Sequence, residues 1–194
     1  MLRNHLTIFV SAILVQNFTL VMFLGLCAFM GVTNKVSVGV RLGIADTFVL
    51  VITAVSVSIL NKWVLGSAPY LRTIAFIVVI ASLVQIAEMA IKKWSPVLFR
   101  ELGIYLPLIA TNCAILALAI FQTNRGYGFL EGLTFAFGAG IGLIIALSLM
   151  ASVRERLDLA DVPAMARGTA IVLIISGSLS LAFMGFAGLM SGGE

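Results

Sequence analysis

Long stretches without a charged side chain govern what this chain can become. From Leu6 to Asn34 there is no Asp, Glu, Lys or Arg. That is long for one straight helix, because about 20 apolar residues cross the hydrocarbon of a bilayer. The few charges that follow bound further spans: a second between Lys35 and Lys62, a third between Lys62 and Lys92, and a fourth from about Leu102 to Gln122. A fifth follows Glu131 and reaches Val153, and a sixth runs from Gly168 to about Met190. In lipid only helices and closed barrels satisfy their own backbone, and these runs lack strict alternation, so the reading is helical. Pro69 and Pro163 stand just before the third and sixth spans, where a helix tolerates a missing N–H.

Composition agrees. The 194 residues are 61% hydrophobic and 10% charged, whereas a water-soluble domain carries roughly 25% charged residues. An ordinary cytosolic enzyme and a disordered binder are both excluded. Six spans use roughly 120 residues and leave no room for a soluble catalytic domain within this length. Leu24-Gly25-Leu26-Cys27 is similar to a lipoprotein cleavage box, but Leu26 is too large for the residue before the cut and the apolar run continues to Val32, so the segment is read as the first span.

Charge also orients the chain. Six crossings place Arg3, Lys62, Arg72 and Arg125 on one side, and Lys35, Arg41, Lys92, Lys93, Arg100, Arg154, Arg156 and Arg167 on the other. The second, more basic set is expected on the cytoplasmic side, so both termini are expected to face the periplasm. No basic cluster with interleaved aromatics argues for nucleic acid.

An internal repeat is expected. Pro69-Tyr70-Leu71-Arg72-Thr73-Ile74-Ala75-Phe76-Ile77 resembles Pro163-Ala164-Met165-Ala166-Arg167-Gly168-Thr169-Ala170-Ile171, at the starts of the third and sixth spans. Three-span halves must insert with opposite orientation, the plan of many transporters whose sites lie near the midplane on discontinuous helices. The expected architecture is therefore an all-α membrane protein of six transmembrane helices. It forms one domain over 1–194, built as inverted repeats 1–95 and 96–194, with the first and fourth helices interrupted. In the first, Asn17 and Gly25 are the interrupting features; in the fourth, Pro107 removes a backbone donor and Thr111-Asn112-Cys113 follows.

Each half thus holds one cysteine in its first span, Cys27 and Cys113. Taken alone, the pair admits three readings. Free Cys is among the most buried residue types, so both are readable as small core residues and nothing more. A disulfide is disfavoured at membrane depth. The third reading is metal ligation; a two-iron cluster wants four thiolates and this chain has two, so another protein would have to supply the rest.

At these residues the chain resembles a known family. Phe23-Leu24-Gly25-Leu26-Cys27-Ala28-Phe29-Met30-Gly31-Val32, Leu102-Gly103-Ile104-Tyr105-Leu106-Pro107-Leu108-Ile109-Ala110-Thr111-Asn112-Cys113-Ala114, Val153-Arg154-Glu155-Arg156-Leu157 with Ala160-Asp161-Val162-Pro163, and the ending Leu181-Ala182-Phe183-Met184-Gly185-Phe186 carry the likeness. They resemble the RnfA family of Rnf electron transport complexes and the homologous E component of sodium-translocating NADH:quinone reductases. The resemblance implies a multi-pass protein of a bacterial inner membrane, paired with the homologous RnfE protein of opposite topology and assembled with the B, C, D and G components of the Rnf complex. It further implies an intramembrane [2Fe–2S] cluster shared by the pair, with Cys27 and Cys113 as this chain's ligands. The complex exchanges electrons between ferredoxin and NADH and moves Na+ or protons, so this chain would be an electron relay within a translocase, with no catalytic site of its own. Gly25 and Asn112, flanking the cysteines, are the expected supports of the cluster, although Asn112 is equally readable as the cap of a helix break.

Asp46 and Glu88 fall inside the second and third spans, since only 15 uncharged residues separate Asp46 from Lys62 and Glu88 from Arg72. A carboxylate at membrane depth is a candidate for an ion path. The alternatives are pairing of Glu88 with Lys92 and of Asp46 with Arg41. Gly138, Gly140 and Gly142 do not match a nucleotide loop, and Gly138-x-x-x-Gly142 reads as a helix-packing face, of a kind that also serves contact with a partner protein. His5 has no second ligand at metal spacing and is assigned no role. Two other functions compete with the relay: a small secondary transporter using Asn17, Asn112 and the broken helices, and a scaffold protein without redox chemistry. A relay needs both cysteines, whereas these alternatives need neither.

Overall fold

The computed structural model describes residues 2–15, 17, 19–27, 36–63, 72–94, 112–157, 159 and 168–191. Among them the chain is helical, with no strand. Helix α1 covers Leu2–Val10 and runs into a π-helical turn, Ser11–Val15. Then come α2 (Val36–Trp63), α3 (Arg72–Trp94), α4 (Cys113–Asn124), α5 (Phe129–Leu157) and α6 (Thr169–Ser191). Helices α2, α3 and α5 are long and apolar enough to cross a membrane. The 12 residues of α4 rise only about 18 Å, well short of the roughly 30 Å of hydrocarbon. Pro69, Pro107, Thr111 and Pro163 lie outside the described residues, as do parts of both repeat segments.

Charge marks the helix ends as expected. Lys62 closes α2, Lys92 and Lys93 close α3, and Arg154 and Arg156 close α5, whose first turn holds Glu131. Each sign suits the helix dipole at that end.

The centre of the molecule is the seam between α2 and α5, and small residues make it close. A Cβ on Gly43 would stand 2.7 Å from Ile144 Cγ1, and one on Gly140 would overlap the Thr47 side chain. Lipid tails are as apolar as the helices, so van der Waals contact rather than water exclusion joins such surfaces. The other face of the α5 glycine run, Gly138 and Gly142, receives α1 and its π turn: the nearest atoms belong to Phe9, Ala12, Ile13 and Asn17. This packing face therefore meets the chain's own first helix. At the far end Gln122 of α4 donates to the Ala54 carbonyl (3.1 Å) and Ser58 Oγ (2.8 Å) of α2, in the space left open by Gly132.

Asn17 explains why the first helix stops where it does. Its Oδ1 accepts the N–H groups of Thr19 (3.2 Å) and Leu20 (3.4 Å), a local turn that competes with helix continuation. Its Nδ2 donates to the Gly142 carbonyl at 2.9 Å, tying the break to α5. The residue is 2% exposed, so loss of its amide leaves these groups without partners away from water. Asn17→Ala is expected to destabilise the protein by about 2–5 kcal/mol, from buried groups costing about 1–3 kcal/mol each. Thermal unfolding in detergent checks this, and an unchanged midpoint would refute it.

Candidate functional site at the start of the fourth helix

Helix α4 begins on a cysteine because the residue before it is a good cap. Asn112 has extended backbone (φ −70°, ψ 112°), and its Oδ1 accepts the Ala114 N–H at 3.1 Å. Asn at this position satisfies one of the donors that a helix start leaves open. Cys113 is thereby the first helical residue, at the end where backbone N–H groups and the positive pole of the dipole converge.

The first break arrives at the same place. After Asn17 the chain turns through Thr19–Gly25 and becomes helical again at Leu26 and Cys27. Phe23 and Gly25 have positive φ, 55° and 90°. At Gly25 this conformation, which a residue with a Cβ avoids, aims the N–H at Cys113 Sγ, 2.8 Å away. Two residues span at most about 7 Å, so the Cys27 backbone lies within that reach of Gly25, the residue that contacts Cys113. The turn that precedes Cys27 thus contacts Cys113, 86 positions along the chain from Cys27, and each cysteine lies at or near the start of a helical segment.

Neither cysteine is in a disulfide, and neither is a core residue: Cys27 is half-buried and Cys113 exposed. Their burial thus departs from that of small core residues. Among the described residues no third His, Cys, Asp or Glu completes a metal site with them. The arrangement offers two thiol ligands, one already receiving a backbone hydrogen bond, opening to the outside of the chain.

Asp46 also belongs here. It is 1% exposed on α2, and its Oδ2 accepts Asn112 Nδ2 at 3.1 Å, while its Oδ1 has no hydrogen-bond partner. Its hydrogen bond goes to Asn112. Glu88 is half-buried on α3, and no hydrogen bond among the described residues links it to the cysteine turn. Thr19 is a residue that sequence reasoning misses: it is buried, its Oγ1 has no partner, and it lies 3.9 Å from where a Gly25 Cβ would be. The available sign is an Asn before each helical segment, Asn17 and Asn112, which does not tell what packs on the turns.

A family described as "Rnf-Nqr subunit, membrane protein" matches residues 5–190. The chain is 52% identical over 193 residues to a protein of Syntrophotalea carbinolica, covering 98% of this chain and 100% of that one. It is 55% identical over 186 residues to one of Pseudomonas paraeruginosa (94% and 96%), and 49% identical over 191 residues to one of Escherichia coli K12 (97% and 99%). All three are named as the A component of an ion-translocating oxidoreductase complex. A family match over nearly the whole chain, with relatives near half identical from end to end, makes this protein a member of the Rnf-Nqr family of membrane subunits.

Proposed function

We propose that the chain is the A component of an Rnf-type ion-translocating oxidoreductase and that it relays electrons through the bacterial inner membrane. Cys27 and Cys113 hold half of a [2Fe–2S] centre, and a homologous protein of opposite topology supplies the other two thiolates. Electron passage is coupled to movement of Na+ or protons by the assembled complex, with Glu88 and Asp46 as this chain's candidates for the ion path. The two halves, 1–95 and 96–194, are inverted repeats, and both termini face the periplasm. The observation that supports the reading is the contact of the turn before Cys27 with Cys113, the Gly25 N–H lying on the Cys113 sulfur, where neither cysteine is a core residue.

The donor set fits the group. Four thiolates are required and two are present, on a face that a second protein can reach. Bound there, a [2Fe–2S] centre accepts and releases one electron at a time. The chain's own contribution is electrostatic. Anionic sulfur in hydrocarbon is costly unless donors and positive dipole ends surround it. The Gly25 N–H and the start of α4 supply such groups, and hydrogen bonds to sulfur tune a cluster's potential.

Iron content and low-temperature EPR of the co-purified complex test this, wild type against Cys27→Ser and Cys113→Ser. Loss of one [2Fe–2S] signal in each variant, with every component retained on a native gel, is expected. An unchanged signal in an assembled complex would overturn the relay and leave transporter or scaffold as the alternatives.

A further inference from the structure

The hydrogen bonds of Asn112 are directional in a way that gives Asp46 a task. A primary amide has one donor end and one acceptor end, and rotation by half a turn exchanges them. The cap on α4 needs the oxygen toward the Ala114 N–H. The reversed amide would set donor against donor there. The opposite end of the amide faces Asp46 Oδ2 across 3.1 Å, and a carboxylate oxygen accepts. Asp46 therefore selects the capping orientation. Both residues are nearly enclosed, at 1% and 4% exposure, so water does not substitute for either partner. The same Asn112 oxygen lies 3.2 Å from the Cβ position of Gly25, whose N–H reaches the Cys113 sulfur. An unbroken set of contacts runs from Asp46 through Asn112 to the first turn of α4 and to Gly25, with Cys113 between the last two.

We propose that Asp46 is a positioning residue for Cys113: by fixing the amide of Asn112 it sets the start of α4 and keeps the Cys113 sulfur on the Gly25 N–H. The proposal deepens the relay reading, on which only its electrochemical consequence rests; the positioning itself is a property of the chain with or without iron. Its two parts can therefore fail separately.

The experiment uses the co-purified complex in three versions. Asp46→Leu removes the acceptor and with it the buried Oδ1 that has no partner, so the folded chain gains an apolar side chain of similar size. Asp46→Asn keeps an acceptor for Asn112. The exchange Asp46→Asn with Asn112→Asp reverses the polarity of the pair and retains both the bond to α2 and a cap oxygen for Ala114. One readout is the alkylation rate of Cys113 by N-ethylmaleimide in a Cys27→Ser background, followed by peptide mass spectrometry. The other is the midpoint potential of the [2Fe–2S] signal in complexes with both cysteines intact. Asp46→Leu is expected to change the alkylation rate by at least about threefold, as a lost hydrogen bond implies, and to shift the potential. Asp46→Asn and the exchange are expected to restore the alkylation rate toward wild type. If the Leu variant fails to assemble, the Asn variant and the exchange decide: departure of both from the wild-type alkylation rate overturns the proposal. A wild-type alkylation rate in an assembled Leu variant also overturns it. Altered alkylation without any cysteine-dependent EPR signal would uphold the positioning and remove the relay.

Discussion

Gly140→Leu is expected to leave little folded protein. A Cβ at this position meets Thr47 Cβ at 2.9 Å and Oγ1 at 2.7 Å as well as the methyl group, so the whole Thr47 side chain lies in its way. Thr47 cannot swing aside cheaply, because its Oγ1 donates to the Gly43 carbonyl at 2.6 Å and a β-branched residue in a helix has few rotamers. Separation of α2 from α5 is the remaining relief, and it breaks the close approach of Gly43 to Ile144 on the same seam. Overpacking alone costs about 1–3 kcal/mol for small insertions, and a leucine at a helix crossing exceeds that range. Gly177→Ala on α6, where a Cβ meets nothing within 4 Å, is the matched control and is expected to leave stability unchanged or slightly higher. Yield of monodisperse protein and melting temperature in detergent check both. A Gly140→Leu protein that melts with the wild type would show that the seam does not hold the fold.

Gly25→Val is expected to disable the cysteine site while sparing the bundle. The backbone at φ 90° is strained for any residue with a Cβ and most of all for a branched one. The new side chain would also press on Asn112 Oδ1 and Thr19 Oγ1, displacing the cap of α4. Relaxation of that strain turns the N–H away from Cys113 Sγ. Under the proposed relay, the expected result is a complex that assembles, with loss of more than half of its [2Fe–2S] iron and a shifted potential for the remainder. Gly25→Ala should do the same to a smaller degree. Iron analysis and EPR titration are the measurements, and full iron with an unshifted potential in Gly25→Val would mean that the N–H···S contact is immaterial.

Where helices begin and end is legible in the sequence because charge is expensive in lipid. The span expected between Lys35 and Lys62 is α2, ending at Trp63, and the one expected from Gly168 is α6, starting at Thr169. The flanking motifs single out both cysteines, and Gly25 and Asn112 stand beside Cys113 in the structure. The identity of partners is not legible in the same way. Spacing along one helix offers Arg41, five residues away, as the partner of Asp46, yet its hydrogen bond goes to Asn112, 66 positions along the chain. A local pattern reports neighbours on one helix face, whereas only the crossing of α2 with the start of α4 brings those two together. The packing face at Gly138 and Gly142 is readable as small residues, but which helix they receive follows from the fold of α1 and its π turn.

The shortness of α4 has an electrical meaning. Its last residues lie beside Arg125, a side chain that belongs at a membrane surface; with α4 along the membrane normal, its first residue, Cys113, would lie about 18 Å deeper. That depth is a little over half of a hydrocarbon layer of roughly 30 Å. A full crossing by one charge does work of about 2.3 kcal/mol per 100 mV, so under the proposed relay a carrier at the head of α4 would divide the voltage drop into two parts of similar size. Neither hop would then face the whole transmembrane potential, and the rate of each would respond to only about half of an applied voltage.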